Sequence, residues 1–208
     1  MTDEFYISVD CETDGPLPGI NSMLSLGAAA FTSNGHMFDS FYTNIYSLTG
    51  AVRDAKTMAW WELHQKAWED CRANPILPPD IATERFRNWI NSAQISFDCN
   101  QKIKPVCIAY PASFDYSFVH YYLVRFVTHD PFGFSALDIK TYAMAVLGSN
   151  FKDTVKRNMP RDWFDDNHKH THNALDDAIE QGHLFFKIKA EREKMNLVLN
   201  RNEFVVRK

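Results

Sequence analysis

The chain has 208 residues, 45% hydrophobic and 14% aromatic, enough to bury a sizeable core without splitting, so one compact domain is expected. A formal net charge of −4 argues against a protein that coats long duplexes by neutralising phosphates. No segment approaches the ~20 apolar residues of a membrane span, and Asp3 and Glu4 stand where a signal peptide would carry bases, so a cytoplasmic protein is expected. Cys11, Cys71, Cys99 and Cys107 form no CxxC pair and no dense framework, and they are read as reduced thiols.

Three strand-like segments open the chain, Phe5 to Cys11, Met23 to Phe31 and His36 to Ile45, joined by short Gly-, Pro-, Asn- and Ser-rich connections that predict an antiparallel meander. Trp60, Trp61, His64, Ala67, Trp68 and Cys71 recur at helical spacing, which predicts a helix from Thr57 to about Arg72, ended by the Pro75 to Pro79 stretch. Asp80 reads as the cap of a second helix through Phe86, Trp89 and Ile90. Pro105 to Tyr110 reads as a short buried strand, followed by a helix through Val119, Leu123 and Phe126. Ala136 to Ile139 predicts another strand and Lys140 to Leu147 another helix. Strands alternating with helices imply that part of the sheet is parallel. Gly148 to Thr171 has no period and is long for a connection, so it reads as a functional, mobile loop that brings His172 in when substrate binds. Asn173 then caps a last helix whose apolar stripe runs through Leu175, Ala178, Ile179, Gly182, Phe185 and Phe186. From Phe185 onward seven bases face three acids, leaving that end at +4 and the remainder at −8. An acidic body with a basic end fits a metal site that handles a few phosphates, and equally a solvated helix with a charged tail.

The acids carry the chemistry. Asp10 and Glu12 are two residues apart in the first strand, so both side chains emerge on the face opposite Phe5, Ile7 and Val9. Two adjacent anions repel unless a cation lies between them, and a divalent metal is the simplest such cation. Asp115 follows a buried strand and could converge with that pair at the carboxyl ends of neighbouring strands. If Asn173 caps the last helix, His172 precedes the cap and Asp177 is the fourth helical residue, the two positions that meet in a staple. An imidazole there, with an unperturbed pKa of about 6.5, is placed to take a proton from an attacking water.

The set Asp10-x-Glu12, Phe114-Asp115 and His172 with Asp177 five residues on resembles the three ordered motifs of the DEDDh 3′-to-5′ exonucleases. That superfamily includes RNase T, oligoribonuclease and the proofreading ε subunit of DNA polymerase III. Thr57-Met58-Ala59-Trp60-Trp61 further resembles its bacterial and phage exoribonuclease branch, which contains exonuclease A of T-even phages. The resemblance spans about Tyr6 to Phe186 and leaves the end of the chain uncovered. It implies a ribonuclease H-like α/β fold, a mixed central sheet flanked by helices, with an exonuclease domain over 1–195 and a tail over 196–208. It also implies two Mg²⁺ or Mn²⁺ ions held by Asp10, Glu12, Asp115 and Asp177, with His172 as general base. Hard oxygen ligands suit these ions, and two of them about 3.5–4 Å apart can stabilise both the attacking and the leaving oxygen of a phosphodiester. Thr13 and Phe114 correspond to positions that touch the terminal nucleotide, with Trp61 bordering the groove. The partner implied is single-stranded nucleic acid, RNA ahead of DNA, and a homodimer is suggested by family analogy.

Each residue also has a plainer reading. Asp10 and Glu12 could be an exposed strand-end pair, Asp115 a helix cap, Asp177 a compensation of its helix dipole. Phe114 could be core, as could Trp60, Trp61 and Trp68 at their helical spacing. His168, His170 and His172 could suggest zinc, but no cysteine or fourth spaced ligand accompanies them. Asp138 reads as an organiser of the strand end beside it. One departure from the family pattern stands out: Tyr110-Pro111-Ala112-Ser113 occupies the stretch where a polar Asn or His often precedes the second motif, so the scissile phosphate is expected to be contacted differently.

Overall fold

The computed structural model describes the backbone of residues 4–164 and 171–206, with side chains up to 197. His168, His170 and the basic side chains beyond residue 197 lie outside the described residues.

A six-stranded mixed sheet, ordered β4-β3-β2-β1-β5-β6, forms the centre. β1 (Phe5–Thr13), β2 (Met23–Thr32) and β3 (Met37–Ile45) pair antiparallel as the expected meander, while β5 (Pro105–Ala109) runs parallel to β1 and β6 (Leu137–Asp138) parallel to β5. The parallel portion arises because each return crosses over through a helix. The alternation of β1 then divides the core. Phe5, Ile7, Val9 and Cys11 pack with Phe86, Ile90, Phe118 and Tyr122 on one side, whereas Tyr6 joins Phe31, Ile108, Leu184 and Phe185 on the other. The helices supplying these side chains are α3 (Pro79–Phe97) and α4 (Ala112–Tyr122) on the first face, and α5 (Ile139–Leu147) and α6 (Ala174–Val206) on the second. Among the described residues no helix is long and apolar enough to cross a membrane.

Several expectations need correction. The helix expected from Thr57 to Arg72 is two, α1 (Ala55–Glu62) and α2 (Gln65–Cys71), broken at Leu63 and His64. Neither residue is a helix breaker. The break lets Trp61, Ala67 and Cys71 face one small core around Leu24. Asp80 is not a cap: α3 starts at Pro79, a residue suited to the first helical position because it has no N–H to satisfy, and Asp80 lies in the first turn. The proline-rich stretch before it contains β4 (Ile76–Leu77), which pairs parallel with the end of β3.

The segment between α5 and α6 is not a free loop through its first half. It forms three short 3-10 turns, Phe151–Asp153, Lys156–Asn158 and Arg161–Trp163, and buries Met159 and Trp163 against the second core. Trp163, 5% exposed, anchors it. Trp163→Ala is expected to lower stability by about 3–5 kcal/mol, the cost of emptying a buried aromatic site, rather than the ~0.5 kcal/mol of a surface-loop change. Urea denaturation of the two proteins decides between these values.

Candidate active site

The site forms where the sheet changes direction. β1 and β5 are parallel neighbours, with Ser8 opposite Ile108, so their carboxyl ends open side by side at the switch point between the antiparallel and parallel halves. Asp10 and Glu12 leave β1 there, on the face that α6 covers. Directly opposite Asp10 on β2 stands Gly27. A Cβ on Gly27 would lie 2.1 Å from the Ala174 carbonyl, so only glycine lets the start of α6 settle this low on the sheet.

The last motif is built as its capping chemistry requires. Asn173 Oδ1 accepts from the amides of Leu175 at 3.0 Å and Asp176 at 3.4 Å, which starts the helix. Asp177 then turns back. Its two oxygens accept from the amides of Thr171 at 2.8 Å and His172 at 3.1 Å, and His172 takes a left-handed φ of 59° to bring its amide round. The imidazole of His172 and the carboxylates of Asp177 and Glu12 offer ligand atoms within 4.8 Å of one another. Asp176 by contrast is exposed and accepts from the Thr171 hydroxyl at 2.9 Å.

Asp115 arrives from the other side. Asp138 Oδ2 accepts the Ala112 amide at 2.8 Å and its Oδ1 caps α5 through Thr141, so one carboxylate fastens two helix starts to the end of β6. Asp115, in the first turn of α4 and 3% exposed, accepts the Cys11 amide at 3.3 Å, between Asp10 and Glu12. Gln181, one turn beyond Asp177, donates to Asp10 Oδ1 at 3.1 Å and to the Val9 carbonyl at 3.1 Å. Asp10, Glu12, Asp115, Asp177 and His172 are thus brought together through this web of contacts.

The weaker expected contacts separate. Phe114 is half-buried with its ring 5.4 Å from that of Phe118. Thr13 is buried, its hydroxyl donating to the Gly15 carbonyl at 2.9 Å. Trp61 is a correction: it is 2% exposed, and its indole N–H donates to the Thr13 carbonyl at 2.9 Å, so it supports the site from beneath. Trp60 is the partly exposed member of the pair. Its ring stacks on His64 at 3.9 Å and meets the His172 ring edge-on at 4.8 Å. His64 and Lys156 were not legible as site residues; a lone histidine in a helical pattern and a lysine in an unpatterned loop carry no spacing signal.

Like charges gathered out of water hold protons. Burial, then repulsion from Asp115, Glu12 and Asp177, keeps the Asp10 carboxyl well above the ordinary range. Burial and the charges of Asp177 and Asp115 push Glu12 up to about 8. Burial raises Asp115 to about 7, although the Cys11 amide and thiol pull it back. The positive N-terminal ends of α4 and α6 offset only part of this repulsion. Such a donor set, four carboxylates with an imidazole beside them, fits hard divalent cations.

Two outcomes follow from this geometry. Glu12 and Asp115 retain protons in the folded state that they release on unfolding, so the cation-free protein is stabilised at low pH. That contribution is lost as pH rises from the ordinary value of 4.5 for Glu12 through its folded value of about 8. A divalent cation displaces those protons, so the Mg²⁺-induced rise in melting temperature should be larger at about pH 8 than at about pH 6, with EDTA as control. An equal rise at both would contradict the shifts. Gly27→Ala should weaken Mg²⁺ binding in calorimetry by about tenfold or more, because α6 must lift with Asp177, while circular dichroism stays native. Unchanged affinity would show that the close approach at Gly27 does not position the acids.

The Rv2179c-like 3′-5′ exoribonuclease domain matches residues 5–188. The chain is 32% identical over 200 residues to the 3′-5′ DNA exonuclease Cap18 of Escherichia coli, covering 93% of this chain and 96% of that one. In fold it is similar to a full-length 3′-exonuclease, with a TM-score of 0.66 at 11% identity over 92% of this chain and 84% of that chain. It is also similar to E. coli exonuclease I in complex with a dT13 oligonucleotide, with a TM-score of 0.63 at 13% identity over 94% of this chain and 43% of that chain. The fold is therefore the ribonuclease H-like one of the DEDD exonucleases, and the chain belongs to the Rv2179c-like 3′-5′ exoribonuclease domain family, a family of 3′-to-5′ exonucleases.

Proposed function

We propose that this exonuclease acts on single-stranded RNA from its 3′ end, releasing nucleoside 5′-monophosphates in the cytoplasm. Its catalytic groups are Asp10, Glu12, Asp115, Asp177 and His172. The observation that supports the reading is the convergence of these five side chains at the switch point of the sheet. When bound by the four carboxylates, two Mg²⁺ or Mn²⁺ ions supply positive charge to the attacking and leaving oxygens of the phosphodiester.

The chain's own groups do the rest. Asp10, held by Gln181, and Glu12 occupy the centre of the cage, with Asp115 and Asp177 closing it from α4 and α6. His172 accepts the proton of the attacking water, its backbone fixed by the Asp177 carboxylate and its ring wedged against Trp60 and His64. Phe114 and Trp60 present the aromatic faces on which the terminal bases stack, and Thr13 shapes the wall behind them. The leaving group is the 3′ oxygen of the penultimate nucleotide. The catalytic unit spans 1–195 and the tail 196–208; α6 runs on to Val206, and the exposed Met195 and Leu197, where the two meet, suit a homodimer contact.

A second reading, a DNA exonuclease, is favoured by the identity with Cap18 over nearly the whole chain. The choice depends on contacts to the 2′-hydroxyl. Matched RNA and DNA oligomers, labelled at either end and incubated with Mg²⁺ or EDTA, test both. Mononucleotides should appear first from the 3′ end, faster from RNA, with Asp10→Ala lowering the rate by about a thousandfold or more. Internal cuts, or activity that survives Asp10→Ala, would sink the proposal; faster release from DNA selects the second reading.

A further inference from the structure

Tyr110 follows β5 ahead of the second acidic motif, and its hydroxyl is engaged within the protein. Its hydroxyl donates to the Thr154 carbonyl at 2.6 Å, and Thr154 is fully buried. The tyrosine instead pins down the connection that precedes the Lys156–Asn158 turn. In doing so it brings a cation to the site. The Lys156 ammonium lies 5.4 Å from the centre of the Tyr110 ring and donates to Glu180 Oε2. Glu180 lies three residues beyond Asp177 on α6, next to the Gln181 that holds Asp10. The carboxylate that holds the ammonium therefore lies about one helical turn beyond Asp177.

Three features set this pair apart from a structural strut. Glu180 is 7% exposed while the Lys156 side chain is 26% exposed, so the carboxylate is fixed and the ammonium borders solvent. A lysine offers three donors on a flexible stem and can hold one acceptor while engaging another. Its charge also reaches inward, since it favours the ionised forms of both Asp10 and Asp115. A cation in that position meets whatever anion lies over those two acids.

We propose that Lys156, parked on Glu180 and steered by the Tyr110 ring, is a substrate-binding residue that donates to a non-bridging oxygen of the scissile phosphate. The inference rests on the exonuclease reading and deepens it. It assigns a phosphate contact to the segment between α5 and α6. Glu180 is then a positioning residue, keeping the ammonium at the site without touching substrate.

The test compares variants that break the same ion pair from opposite sides. After cleavage the scissile phosphate is the 5′-phosphate of the released mononucleotide, so competitive inhibition by a nucleoside 5′-monophosphate reads this contact separately from turnover. Inhibition by the unphosphorylated nucleoside is the control. Lys156→Met and Lys156→Gln should each weaken monophosphate inhibition by about ten- to hundredfold and lower kcat/KM at least as much, leaving nucleoside inhibition unchanged. Lys156→Arg should restore part of the loss. Glu180→Gln, which keeps the ammonium but loosens its hold, should weaken monophosphate inhibition as well, by several-fold less than the Lys156 variants do. If the Lys156 variants and Glu180→Gln shift monophosphate inhibition equally, or if no variant shifts it, the pair is structural and the proposal is overturned. If the wild-type chain releases no 3′ mononucleotides with Mg²⁺, the exonuclease reading fails first, and the inference falls with it.

Discussion

The constraint on which this molecule turns is electrostatic: four carboxylates from three distant parts of the chain are gathered at one site, Asp115 and Asp177 buried and Asp10 and Glu12 half-buried. Left alone they would repel by several kcal/mol at such separations and low polarity. The surrounding fold supplies partial counter-charges at each point. The Cys11 amide meets Asp115, the amides of Thr171 and His172 meet Asp177, and the Gln181 amide meets Asp10. The first turns of α4 and α6 add their positive ends. These donors fix where the oxygens stand but do not offset their burial, which raises Asp10, Glu12 and Asp115 above the ordinary carboxylate range, with repulsion from the neighbouring acids adding to it at Asp10 and Glu12. A site left short of positive charge by its own protein is one prepared for cations from outside.

The architecture follows from the same need. Asp10 and Glu12 share a strand face, but Asp177 must reach them from a helix packed over that face, and a helix ordinarily rides about 10 Å above a sheet. Gly27, opposite Asp10, removes the side chain that would hold α6 away, and Gly182 does the same further along, where a Cβ would lie 2.3 Å from the Phe31 ring. On the same face the small side chain of Ala29 continues this thin region of β2. Close approach at the helix start leaves room for little else, so His172 enters by a left-handed residue before the cap rather than from the helix itself.

Much of this was legible in the chain because it depends on local rules. The i, i+2 spacing of Asp10 and Glu12 puts both on one strand face whatever the tertiary structure, and Asn173 as a cap fixes the meeting of His172 with Asp177. Asp115 needed one fact that no local rule contains, namely that β5 is the parallel neighbour of β1. What escaped reading was set by long-range packing. The break at Leu63 and His64 has no breaker residue and exists because Trp61 and Cys71 must face the same small core. Trp60 and Trp61 are indistinguishable in sequence, yet one is buried with its N–H on the Thr13 carbonyl and the other edges His172. Lys156 lies among bases and acids without period, and Tyr110, Glu180 and Trp163, from different elements, hold its turn in place.

The overall charge is consistent with a site of this kind. An enzyme that grips a long strand needs a broad basic surface, and its affinity falls steeply with salt. A net charge of −4 argues against a broad surface of that kind, and a free 3′ end entering an acidic pocket requires only a few local compensations. Bound cations would supply most of the compensation, the amides at the starts of α4 and α6 a smaller part, and an ammonium beside Tyr110 the remainder. Recognition of the end then rests on ring stacking and on the reach of the terminal phosphate into the cage, not on the length of the strand behind it. The aromatic wall of Trp60 and His64, stacked at 3.9 Å and pressed against His172, joins those two requirements. A base resting on that wall would also press on the imidazole beneath, so the correct seating of the last nucleotide and the alignment of the proton acceptor become one event.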